Sequence, residues 1–127
     1  MGLDMYLNGD DFFPHDHERR KSNPSTKREQ VELSYWRKHP NLHGYIVATF
    51  AEGVDECQEI GLAKEDMQRI IEAIKNKQLP HTVGFFFGAS EDSDEQIAFD
   101  IEIFQNAIKW LEEKTGAWRS ISYRASW

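Results

Sequence analysis

Leu3, Met5 and Leu7 alternate with Asp4, Tyr6 and Asn8, the period of a strand that buries one face. Val31, Leu33 and Tyr35 repeat that period. So does the stretch from Ala117 to Trp127, with Arg119, Ile121, Tyr123 and Ala125 on one face and Trp118, Ser120, Ser122 and Arg124 on the other. Three stretches change to helical spacing instead. Leu42, Ile46, Thr49 and Phe50 follow Pro40 and stop at Gly53. Met67, Ile70, Ile71 and Ile74 form a second stripe, with acids early and lysines late as the helix dipole favours. Ile97, Ile101, Phe104, Ile108 and Leu111 form the third and longest. Ser93 with Gln96 predicts a capping box at its start, and Gly116 a C-terminal cap.

Between these periodic runs the pattern is less decisive. Residues 9–29 are polar and broken by Pro14 and Pro24, which predicts a long surface loop. Val54–Leu62 reads as a short strand or an irregular crossing. Gly84-Phe85-Phe86-Phe87-Gly88 reads as a buried strand, since it lacks the Lys and glycine spacing of a phosphate loop. Gly44 inside a helix predicts packing or a close approach. Together these elements predict one α+β domain over 1–127. Its mostly antiparallel sheet has about four strands and is packed with about three helices.

Composition agrees with a single core. The chain has 127 residues, 39% of them apolar and 13% aromatic, which suffices for burial without staples. Its formal charge of −7 argues against a dedicated binder of nucleic-acid polymers. The charge is uneven, however: residues 16–38 hold seven cations against four acids, whereas 85–102 hold six acids and no cation. A local anion site therefore stays open. The lone Cys57 cannot close an intramolecular disulfide, which suits a reducing compartment. No run approaches the roughly 20 apolar residues of a membrane span, and Met1–Tyr6 matches neither a signal peptide nor a myristoylation signal. The expectation is a soluble cytoplasmic protein.

Several motifs occur together. Met-Gly-Leu-Asp-Met-Tyr-Leu spans 1–7, Tyr-Trp-Arg-Lys 35–38, Gly-Val-Asp-x-Cys 53–57 and Gly-Phe-Phe-Phe-Gly 84–88. His43, Leu79-Pro80 and Ser126-Trp127 complete the set. End to end, the chain resembles a family of small phage and prophage proteins. Residues 9–29 depart most from the family pattern, Ala125 stands where Ser is usual, and His39-Pro40 also differs. The resemblance implies a virus-encoded protein of the host cytoplasm and implies no particular reaction.

The stretch with the greatest chemical capacity is Tyr35 to His43, at a strand-to-helix junction. Arg37 can hold a phosphate or carboxylate through two parallel hydrogen bonds, Lys38 adds a point charge, and Tyr35 or Trp36 can stack on a base. His43 completes the candidate set, and the free amides of a helix starting near Pro40 would add partial positive charge. The competing view makes Tyr35 and Trp36 packing residues and pairs Arg37 with an acid. Cys57 with His43 as base is a weaker hydrolase candidate. His15 and His17 with Asp10, Asp11 and Asp16 are a weak metal candidate in the polar stretch. No cofactor is expected. The leading expectation is a phage accessory protein, plausibly counter-defence, that captures a small anionic nucleotide-like ligand. The alternative is a protein-binding inhibitor of a host enzyme, and homo-oligomerisation stays open.

Overall fold

The computed structural model describes residues 3–22, 27–37, 39–80, 82 and 93–126. Strand β1 (Asp4–Phe12) lies between β2 (Arg28–Arg37) and β4 (Trp118–Ser126), antiparallel to both. Short β3 (Ile60–Leu62) pairs antiparallel with β4, which gives the sheet order β2-β1-β4-β3. Helices α2 (Pro40–Phe50), α3 (Lys64–Lys75) and α4 (Asp94–Glu112) accompany the sheet, and a short α1 (Glu18–Ser22) lies between β1 and β2. The chain is an α+β domain with a four-stranded antiparallel sheet and three long helices.

The alternation read from the sequence decides which side of the sheet meets the helices. Leu3, Met5, Leu7, Ile121, Tyr123 and Ala125 are buried among the helical stripes, with Leu62 and Ile60 from β3. Trp36 enters the same layer and stacks on Phe104 of α4 with ring centroids 5.7 Å apart. Gly9 continues that face, and a Cβ there would sit 2.6 Å from the Trp110 ring of α4, so only glycine lets the indole close on β1. Gly44 has a similar reason: a Cβ would meet Thr82 Oγ1 at 2.0 Å.

Three expectations are revised. The predicted loop over 9–29 is shorter, because β1 runs through Phe12 and β2 begins at Arg28; the acids that made this part of β1 look loop-like are neutralised in place. Asp10 accepts from Arg28 and Gln30, and Asp11 from Arg119. Only half of the capping box forms: Ser93 Oγ accepts from the Gln96 amide at 3.1 Å, but the Gln96 side chain turns to Asp100. Helix α4 ends at Glu112, two residues earlier than a Gly116 cap requires, and Gly116 (φ +78°) makes the turn into β4. The candidate strand over 84–88 lies outside the described residues. Among the described residues no helix is long and apolar enough to cross a membrane.

Candidate functional site

Strand alternation at the end of β2 divides the expected cluster between two environments. Trp36 points into the helix layer and is 4% exposed, while Tyr35 and Arg37 point to the opposite face and are exposed. His43, one turn into α2, is 2% exposed. Lys38 lies outside the described residues. Direct ligand contact is thus open to Tyr35 and Arg37 and closed to Trp36 and His43, whose surfaces are already packed.

The interior half is a pair of polar networks. Asp100 on α4, 2% exposed, accepts from Trp36 Nε1–H at 2.9 Å and from Gln96 Nε2–H at 2.8 Å, both at Oδ1. His39 Nε2–H donates to its Oδ2 at 2.7 Å. A buried carboxyl group is tolerable only when its acceptor sites are filled, and donors from β2, from the start of α2 and from α4 itself fill these. The same carboxyl group ties the end of β2 and the start of α2 to α4. In the second network, His43 Nε2–H donates to Asp55 Oδ2 at 2.9 Å and Nδ1 accepts from the Tyr123 hydroxyl at 2.6 Å. Burial foremost, then the charge of Asp55, pushes the Tyr123 phenol well above its ordinary value, so it stays a donor. With both ring nitrogens engaged, His43 offers Cys57 no open base. Cys57 itself sits in a left-handed turn at φ +57° and is partly buried.

The helix N-terminus is likewise closed. Helix α2 starts at Pro40 with no side-chain cap and no acid in its first turn, but Pro40, Asn41 and Leu42 are all buried. Asn41 Oδ1 accepts the Thr82 amide at 2.9 Å. The positive charge expected at that terminus has no open approach. The acids considered for a metal do not converge either, since Asp10 and Asp11 lie on opposite faces of β1 and are bound by different arginines. His17 Nε2–H donates to the Thr115 carbonyl at 2.9 Å. Among the described residues no group of three or more potential metal ligands gathers.

The exposed half is more open. Tyr35 and Tyr6 are register partners on β2 and β1, with ring centroids 5.2 Å apart and planes inclined by 48°. Tyr35 donates its hydroxyl to Asp4 Oδ1, which fixes the ring and raises its pKa above the ordinary value, the hydrogen bond being the main cause. Arg124 of β4 is the register partner of Tyr6 on its other side, and Arg37 is two residues beyond Tyr35 on the same face. Both arginines are exposed, and among the described residues no carboxylate lies within ion-pairing distance of either. Two tyrosine rings therefore share one sheet face with two exposed arginines that have no ion-pair partner among the described residues. Tyr6 and Arg124 were missed from the sequence because they lie 29 and 89 residues from Tyr35. The available signal was the alternation itself, which already put Tyr6 and Arg124 on the polar faces of their strands.

No family model, curated protein or solved structure matches the chain.

Proposed function

We propose that the chain is a binding protein of phage origin that captures a small, planar, nucleotide-like anion on the open face of its sheet. The observation that carries this reading is the Tyr6–Tyr35 pair flanked by Arg37 and Arg124, two cations with no acid within pairing distance among the described residues. A base or other flat ring stacks on the tyrosines, and the guanidinium groups take the phosphate or carboxylate with fork-shaped hydrogen bonds. Trp36, His39 and Asp100 act behind the face: their buried network anchors the end of β2 so that Tyr35 and Arg37 are presented on a fixed strand. The phage assignment rests on the motif resemblance, and a counter-defence role follows from sequestering such a ligand in the host.

Calorimetric titration and thermal shift against nucleoside mono- and diphosphates test the reading. A responding ligand should bind about tenfold or more weakly to Arg37→Ala and to Arg124→Ala, in line with the loss of a charge-assisted hydrogen bond. A protein that responds to no nucleotide, or whose response survives both substitutions, is not this kind of binder.

A further inference from the structure

The same open face carries a second cation and aromatic row at its far end. Arg28, Phe12 and Trp118 are register partners across β2, β1 and β4, as Tyr35, Tyr6 and Arg124 are. The Arg28 guanidinium lies 5.4 Å from the centroid of the Phe12 ring. Trp118 is 72% exposed, more than any other large apolar side chain among the described residues. Such a ring in a sheet face contributes little to the core.

Phe12 and Tyr6 are six positions apart on β1, which places the rows about 20 Å apart at the rise of a strand. The strip between them is small and polar. It holds Asn8, Asp10, Ser120 and Ser122, with Glu32 and Gln30 beside them on β2 and Gly61 at the β3 edge, where a Cβ would meet nothing within 4 Å. Ser122, 5% exposed at the floor of the strip, has a hydroxyl with no hydrogen-bond partner among the described residues. Three arginines share the face with three acids, Asp4, Asp10 and Glu32, in a chain whose total is −7. Two of those acids are already engaged, Asp4 by Tyr35 and Asp10 by Arg28 and Gln30.

From this arrangement we infer that the ligand is a short single-stranded oligonucleotide lying along β1 and β4. Its end bases stack on Tyr6 and Tyr35 at one row and on Phe12 and Trp118 at the other. The inference rests on the anion-binding reading above and extends it from one row to two. A mononucleotide cannot touch both rows. At about 3.4 Å per stacked nucleotide, a strand of about six spans them, and an extended one needs fewer. The net charge weighs against a duplex binder, whose affinity comes from neutralising many phosphates, whereas a single strand draws part of its affinity from bases stacked on aromatic rings. Arg37 and Arg124 take phosphates at one end, and Arg28 backs the stack at the other.

Titration of the full chain with fluorescein-labelled oligouridylates and oligothymidylates of one, two, four, six and eight nucleotides, read by anisotropy, tests this. Affinity should rise about tenfold or more from one nucleotide to six and then level off. Trp118→Ala should return the hexamer to within about threefold of the mononucleotide and leave mononucleotide affinity unchanged, whereas Arg37→Ala weakens both. Mononucleotide binding that depends on Arg37 but gains nothing with length overturns the inference alone. Failure of every length overturns it together with the simpler reading. Equal affinity for a duplex of the same length, or a homodimer in light scattering that Trp118→Ala dissolves, also overturns it, the latter by making a second copy the occupant.

Discussion

The two faces of β2 use similar residue types for opposite ends. Towards the helices, Trp36 gives its indole N–H to a carboxyl group buried in α4, and His39 and His43 spend their ring nitrogens on partners that are themselves largely enclosed. Towards solvent, Tyr35 and Arg37 stand beside Tyr6 and Arg124 with their capacity largely unspent. The difference teaches that chemical richness in a sequence is not reactivity. Aromatic rings, imidazoles and cations next to one another in the chain are separated by strand alternation into a set that holds the fold and a set that can meet a ligand.

Substitutions on the two faces should therefore have different signatures. The largest effect is expected at Asp100→Ala, which strands two buried donors, Trp36 and His39, and a half-buried third, Gln96: the loss should be about 3 kcal/mol or more of unfolding free energy in urea titration. A loss under about 1 kcal/mol would mean that the network does not hold β2 against α4. Gly44→Ala forces a Cβ against Thr82 and should cost about 1–3 kcal/mol by the same measurement. Tyr123→Phe removes the hydroxyl that serves His43 Nδ1 and should cost about 1–2 kcal/mol near neutral pH.

Tyr123 also predicts a pH dependence. Its folded pKa is raised above the ordinary value of 10.0, so the folded protein holds the proton more tightly than the unfolded chain. That contribution is complete below pH 10.0 and is lost as pH rises above it, where the unfolded phenol ionises first. Denaturation midpoints measured from pH 9 to 11 (about one unit either side of the unfolded value) should fall more steeply in the parent than in Tyr123→Phe. Identical slopes would remove the buried donor from the account. The smallest stability effect is expected at Arg37→Ala, within about 0.5 kcal/mol. A larger cost there would make Arg37 part of the framework and erase the distinction between the faces.

Much of the architecture was legible before any coordinates. Alternation over 3–8, 31–35 and 117–127 marks strands, and the three helical stripes correspond to α2, α3 and α4. It assigns the faces of β1 and β4 but not of β2, where Val31 and Tyr35 are exposed, Trp36 is buried, and the register shifts between Leu7 and Asn8 of the paired strand. The site was legible only in part. Tyr35 and Arg37 do lie together in the open, but their neighbours come from β1 and β4, and no local pattern links Tyr6 or Arg124 to them. The continuation of β1 through Asp10 and Asp11 was hidden for a related reason. Consecutive acids count against a strand until the arginines that neutralise them are in place.

The sequence by itself determined the types of the main elements and, for β1 and β4, the inward and outward faces, because both follow from periods of two and 3.6 residues that neighbouring side chains impose. Only the tertiary structure decided that Asp100 would meet Trp36 across 64 positions, that Tyr123 would meet His43 across 80, and that two aromatic rows would share one sheet face. Those outcomes depend on strand order and register, which long-range pairing fixes and local periodicity does not encode.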